Sequence, residues 1–339
     1  MNFENELNKI GISPKESLRI EERNRIARNI TDKLTTNVKE LVDDYNELFM
    51  RIANCNMYYA EIDEKFKGIF YFYKNNSIYI DKDFLGVNEY LIHEVIHYLQ
   101  NFDKVNKEIK RAGLCQFLEF KLWGLGINEA VVQYITLKAE GHNIQRVNDS
   151  KTSICTNSEN NYKYMTSLIT EVLLFMGEGK AIESCIKSTE TFETELYNTF
   201  EDNTEKIVKG FDDLLEESTK ENKDEEKIIN IYMSTQETIY KTYFKNMYKR
   251  LNSTKEVDNQ VQKLEDFENI FGKTFEKYEW ENSFTVFKKE MESNYLKKYI
   301  ELNRKNKNSL MIVYKNVISN FFIRIADFIN NKIIKSKLD

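Results

Sequence analysis

LIHEVIHYLQ, residues 91–100, decides how the rest of the chain is read. Leu91, Val95, Ile96 and Leu99 recur at helical spacing, so the stretch is expected to form an amphipathic helix, with Asp83 or Asn88 as the residue that caps its start. On such a helix His93 and His97 stand four residues apart and project from one face, where both imidazoles can converge on a single ion. Glu94 follows the first histidine directly. From there its carboxylate can reach a water in the ion's open coordination position and take its proton. The chain holds 3 histidines and 55 acidic residues in 339 positions, and the chance expectation of one such pattern is at most about 0.004.

An ion that does chemistry keeps three protein ligands and one exchangeable position. The third ligand is sought on a later helix, and the segment GINEAVVQY, residues 126–134, offers Glu129 near the start of an otherwise apolar run. A carboxylate among Ile127, Val131 and Val132 is costly to bury unless a cation meets it. A glutamate in a first helical turn, favoured there by the helix dipole, is the alternative reading of the same residue. The chain between His97 and Glu129 can leave the first helix, form a connecting segment from Val105 to Leu122 and return antiparallel. Gln133 and Gln100 stand where they can hydrogen-bond a ligand imidazole, and they read equally well as surface amides.

Upstream, apolar residues from Ile20 to Phe49 recur every three or four positions, which predicts a long amphipathic helix or a pair of helices over Lys15–Ala53. Met57–Ile62, Gly68–Tyr73 and Ser77–Ile80 are short, aromatic and β-branched, with Lys74, Asn75 and Asn76 as turn residues between the last two, and predict a small antiparallel sheet. Downstream, Ile127–Leu137 is expected to be helical and Gly141–Asn161 a loop. Tyr162–Met176, Thr191–Leu215, Glu225–Leu251, Val257–Phe271 and Asn282–Ile334 then read as helices. The most apolar stretch, Leu310–Ile334, carries Lys315, Arg324 and Asp327 at intervals too short for an uncharged bilayer span. It is expected to pack as an amphipathic helix.

Composition narrows the function classes. One proline and 11 glycines among 339 residues argue for long helices rather than a sandwich of short strands. With 49 basic and 55 acidic residues interleaved, net charge −6, no electrostatic footprint for nucleic acid stands out. Cys55, Cys115, Cys155 and Cys185 form no CxxC pair and read as reduced, buried thiols. The N-terminal MNFENELNKIGISPKE has no apolar run of signal-peptide length, so the default expectation is a cytoplasmic protein.

The segments LIHEVIHYLQ and GLGINEAVVQYIT resemble the two halves of the zinc site of the gluzincin branch of HExxH metallopeptidases, over about residues 56–140. The resemblance implies an α+β, zincin-like core in which a sheet precedes the HExxH helix, one Zn²⁺ per chain on His93, His97 and Glu129, and Glu94 as general base. In thermolysin-like members an aspartate stands four residues after the ligand glutamate; here that position is Gln133. The spacing from His97 to Glu129 is of the order seen in clostridial neurotoxin light chains. By its order in the chain, Gly68–Tyr73 resembles the strand on which such peptidases lay an extended substrate, although it reads equally as a core strand. Such enzymes often steady the developing oxyanion with a further histidine or tyrosine. His142 is the remaining histidine for that role, against its plainer reading as a loop residue.

The expectation is therefore a mostly helical α+β protein with an N-terminal helical region at 1–53, a zincin-like core at 54–140 and a helical C-terminal region at 141–339. Its activity would be hydrolysis of peptide bonds in a peptide or protein substrate. The competing expectation is a zinc-binding but catalytically idle module that binds a partner protein through its helical half.

Overall fold

The computed structural model describes residues 3–41, 44–63, 67–84, 86, 88–100, 102–105, 108–118, 122–148, 153–156, 162–275 and 281–305. The expected helix over Leu310–Ile334 lies outside these residues. The chain order is α1 (Glu4–Lys9), β1 (Ile12–Ser17), α2 (Ile20–Asn37), α3 (Tyr45–Ala53), β2 (Asn56–Ile62), β3 (Ile69–Phe72), β4 (Ser77–Asp81) and α4 (Glu89–Leu99). It continues with β5 (Phe102–Val105), β6 (Glu108–Ala112), β7 (Cys115–Phe117), β8 (Leu122–Trp123), α5 (Leu125–Ala139), β9 (Gln145–Asn148) and β10 (Ser153–Thr156). Among the described residues, seven α-helices follow: α6 (Lys163–Met176), α7 (Gly179–Lys187), α8 (Thr191–Phe200), α9 (Thr204–Ser218), α10 (Glu225–Arg250), α11 (Thr254–Phe275) and α12 (Glu281–Lys305). The fold is α+β and mostly helical, as its proline-poor, helix-periodic sequence requires.

The first sheet differs from the expected antiparallel one. Its strand order is β1-β2-β4-β3, with β2 and β4 parallel and the other pairs antiparallel. The β3–β4 hairpin turns through Lys74–Asn76, with Asn76 at φ 54°, a conformation asparagine tolerates. Strand β1 runs into the start of the stretch read as helix, over Lys15–Ser17, and α2 begins only at Ile20. The single proline of β1, Pro14, sits on an edge strand beside a register shift, where a missing N–H breaks no ladder. One face of the sheet is sealed by Leu7, Ile12, Ala60, Ile62 and Tyr79. Helix α4 crosses β3 and β4, which fixes the histidine helix against the edge of the sheet.

Two further expectations are corrected. Most described residues of the connecting segment Val105–Leu122, to which the sequence pattern assigns no strand, belong to an antiparallel sheet, β5-β6-β7-β8. The loop expected at Gly141–Asn161 contains the β9–β10 hairpin. Charged and polar residues, Lys104, Glu108, Lys110 and Arg111 in the first and Gln145, Arg146 and Asn148 in the second, mask the period-2 pattern that marks a strand. Likewise Thr191–Leu215 is two helices, broken at Glu201 with φ 51°.

The chain forms two compact units, Met1–Tyr243 with Phe267–Tyr278, and Phe244–Asp266 with Glu279–Asp339. Within the second, Phe244 packs on Phe287 and Tyr248 on Tyr295 at ring-centroid distances of 6.3 and 6.1 Å. Among the described residues no helix is long and apolar enough to cross a membrane.

Candidate metal centre

Helix α4 begins where Asn88 accepts the Leu91 N–H on its side-chain oxygen at 3.1 Å, a cap worth about 1 kcal/mol. The 3.6-residue period then buries Leu91, Ile92, Val95, Ile96 and Leu99 and turns His93 and His97 together towards α5, with ring centroids 4.9 Å apart. Helix α5 brings Glu129 to them. His93 Nε2 and His97 Nε2 are 3.1 Å apart, and the Glu129 carboxylate oxygens lie 3.2 Å from the first and 3.3 Å from the second. These three are, among the described residues, the group of side chains able to share a metal ion.

The far side of each imidazole is also held. His93 Nδ1 is 2.9 Å from Gln133 Oε1, and His97 Nδ1 is 3.1 Å from Gln100 Oε1. An amide oxygen only accepts, so each Nδ1 carries the proton and donates it, which leaves both Nε2 lone pairs bare. Two bare nitrogens and a carboxylate thus converge with no donor between them. Such an arrangement needs a cation. In its absence a proton serves: burial alone would lower the His97 pKa, but the Glu129 charge and hydrogen bonds to Glu129 and Gln100 override it and raise it to about 9. Burial would likewise raise Glu129, yet the His97 charge and the hydrogen bonds to both imidazoles hold its carboxyl far below the ordinary carboxylate range.

The geometry suits zinc. Ligands about 2.0–2.1 Å from a tetrahedral ion stand about 3.3–3.4 Å from one another. The 3.1 Å between the two Nε2 atoms, the 3.2 Å from His93 Nε2 to Glu129 Oε2 and the 3.3 Å from His97 Nε2 to Glu129 Oε1 are of that size, with the two carboxylate contacts falling on different oxygens. Two imidazoles and one carboxylate are also a zinc donor set that leaves a fourth position open.

Glu94 does not join this group. Its Oε2 accepts the main-chain N–H of Tyr71, on strand β3, at 2.8 Å. Burial pushes its carboxyl above the usual range, against the two histidines and the Tyr71 amide, which lower it. A carboxylate with a raised pKa can accept and return a proton nearer neutral pH.

The amides are braced in turn. Gln100 Nε2 donates to Asn128 Oδ1 at 2.9 Å and to Cys185 Sγ at 3.1 Å, and Asn128 Oδ1 also accepts the Leu114 N–H at 2.9 Å. Gly113 makes this possible: a Cβ there would stand 2.1 Å from Gln100 Nε2 and 2.2 Å from Asn128 Oδ1. The N-terminus of α5 is capped from another helix, Asp212 of α9 accepting the Gly124 and Gly126 N–H groups at 3.1 and 2.7 Å. Capping by a distant side chain leaves no local signature.

His142 is not brought to the site. It is exposed beyond the end of α5, and the ten residue steps of helix from Glu129 to Ala139 alone span about 15 Å. Tyr162, at the start of α6, occupies the neighbourhood instead, with its ring centroid 5.6 Å from that of His93. Burial first, then the Glu129 and Glu94 charges, raises the Tyr162 phenol and keeps it protonated. With 20 tyrosines in the chain, and this one read simply as the first residue of a helix, nothing in the sequence singles it out.

No protein-family model, no curated protein and no solved structure matches the chain.

Proposed function

We propose that this chain is a zinc-dependent peptidase of gluzincin type, with a zincin-like core at about residues 54–140 between helical regions at 1–53 and 141–339. The observation that carries the reading is the convergence of His93 Nε2 and His97 Nε2, 3.1 Å apart, on the Glu129 carboxylate, whose Oε2 lies 3.2 Å from the first and Oε1 3.3 Å from the second, with both Nδ1 atoms tied to amide oxygens and a buried glutamate directly after the first ligand. His93, His97 and Glu129 would hold one Zn²⁺ per chain. When bound, the ion supplies the Lewis acidity that makes water a nucleophile near neutral pH.

The chain's own residues do the rest. Glu94 takes the proton of the attacking water on its carboxylate and delivers it to the departing amine nitrogen, which its raised pKa favours. Tyr162, replacing His142 in this role, offers a protonated phenol to the charge that develops on the carbonyl oxygen. The substrate is an extended peptide or protein segment. All four cysteines are buried and unpaired, which fits a reducing compartment and supports a cytoplasmic placement.

Glu94→Gln tests the reading against the idle-module alternative. Glutamine keeps the shape and can still accept the Tyr71 N–H, but it cannot take a proton. The expected variant is folded and zinc-loaded, with peptide-library cleavage reduced by about 100- to 10,000-fold. Chelator should abolish cleavage by the parent. Equal cleavage by parent and variant would remove Glu94 from the reaction.

A further inference from the structure

Strand β3 is the last strand of its sheet, and among the described residues only its β4 side is paired. Gly68 accepts the Asp81 N–H at 3.1 Å, and the register sets Phe70 opposite Tyr79 and Phe72 opposite Ser77. Bonded and non-bonded pairs alternate along an antiparallel ladder, so Gly68, Phe70 and Phe72 face β4 while Ile69 and Tyr71 turn their N–H and C=O groups to the open edge. On that edge the Tyr71 N–H already has a partner, the Glu94 carboxylate at 2.8 Å. Tyr71 is fixed at its side chain too: its ring packs edge-on against Tyr98 of α4 at 6.3 Å, and its hydroxyl donates to Asn76 Oδ1 at 2.7 Å.

We infer that the Tyr71 main-chain amide is the positioning donor of Glu94, and that an extended peptide adding to β3 pairs only with the Ile69 amide, the Ile69 carbonyl and the Tyr71 carbonyl. This rests on the peptidase reading for its consequence, and on geometry for its premise. The Tyr71 N–H is already held at 2.8 Å by a buried side-chain oxygen, so an incoming strand gains this donor only by displacing Glu94. Holding Oε2 leaves Oε1 as the atom that receives the proton. The peptide carbonyl that falls opposite Tyr71 finds no donor on the strand, and it is the carbonyl beside Glu94. The edge therefore selects the bond to be cut by leaving one carbonyl unpaired at the base.

The test uses the full chain labelled with ¹⁵N-tyrosine, first without metal. The Tyr71 amide is expected to exchange with solvent about tenfold or more faster in Glu94→Ala than in the parent, because the variant removes its acceptor. Equal exchange overturns the inference. The kinetic arm compares Tyr71→Ala, which keeps the N–H, with Tyr71→Pro, which deletes it. The amide faces away from β4, so proline costs no ladder bond. At equal zinc content, proline is expected to lower kcat at least about tenfold below alanine with KM within a few-fold. Ile69→Pro is expected to raise KM instead. Matching kcat values for Tyr71→Ala and Tyr71→Pro overturn the positioning role. A parent that cleaves no peptide in a chelator-sensitive way defeats the peptidase reading, and the exchange comparison then alone upholds or overturns the Tyr71–Glu94 pairing.

Discussion

Gly126→Ala should loosen the metal centre from the first turn of α5. A Cβ at this position would stand 2.2 Å from the Phe211 carbonyl oxygen and 2.7 Å from the Asp212 nitrogen, both main-chain atoms of α9. Ordinary contact begins near 3.4 Å, so the two helices must part by about 1.2 Å or α5 must turn about its axis. Overpacking of this kind costs about 1–3 kcal/mol. Parting the helices also stretches the Asp212 bonds to the Gly124 and Gly126 amides, a cap worth about 1 kcal/mol more. The expected loss is about 2–4 kcal/mol, read by urea denaturation of the metal-free protein. Glu129 lies three residues on, while both histidines sit on α4, so the same shift opens the ligand set and should weaken zinc retention about 10- to 100-fold in competition with a chromophoric chelator. An unchanged midpoint would refute the close approach of α5 and α9. A lost midpoint with unchanged zinc affinity would refute the claim that α5's seating sets the site.

Gln133→Leu should lower zinc affinity about 10- to 100-fold with little change in the unfolding midpoint, since His93 loses the acceptor that fixes its tautomer; equal affinity would leave Gln133 a packing residue. Glu171, on α6, is fully buried, and burial, against a hydrogen bond from Gln236, raises its pKa well above 4.5. The folded state therefore keeps a proton that the unfolded state has lost above pH 4.5, and stability falls as pH rises from there towards the folded pKa. Glu171→Gln should remove that slope, at most about 1.4 kcal/mol per pH unit, and stabilise the protein at the alkaline end; parallel stability curves for parent and variant between pH 5 and 8 would show that Glu171 is ionised in the fold.

How far the site could be read from the sequence depends on how local each signal is. His93, Glu94 and His97 announce themselves because the helix repeat alone places them, and Glu129 because a charge in an apolar run needs a reason. Gln133 is recognisable by the same logic, four residues after Glu129 and so on the same face of α5. Asp212, Tyr162 and the Tyr71 amide cannot be found this way. Asp212 acts on a helix that begins 87 residues earlier in the chain, Tyr162 is one phenol among 20, and a main-chain N–H has no letter of its own. The fold follows the same rule. Helices α4, α5, α6 and α10 follow their periodicity, whereas β1 and β5–β8 are strands whose pairing partners, rather than their composition, make them so.

The metal centre also shows why the stretch that carries the motif, roughly residues 56–140, does not suffice to build it. His93 is covered by the Tyr162 ring from the start of α6. Gln100, which orients His97, donates to Cys185 of α7, and Gly113, whose missing side chain admits Gln100, donates its N–H to Ser188 Oγ at 2.7 Å just beyond α7. Arg111 and Gln116 of the second sheet both donate to Glu193 of α8, and α5 is capped by Asp212 of α9. Ligand atoms must be held to about 0.5 Å for a zinc site to keep its geometry, and side chains reach that precision only when their neighbours lock the rotamers. Residues up to Ser218 therefore belong to the site as its outer wall. The change of pattern at Glu140 marks where the ligands end, and the packing that holds them continues through four more helices.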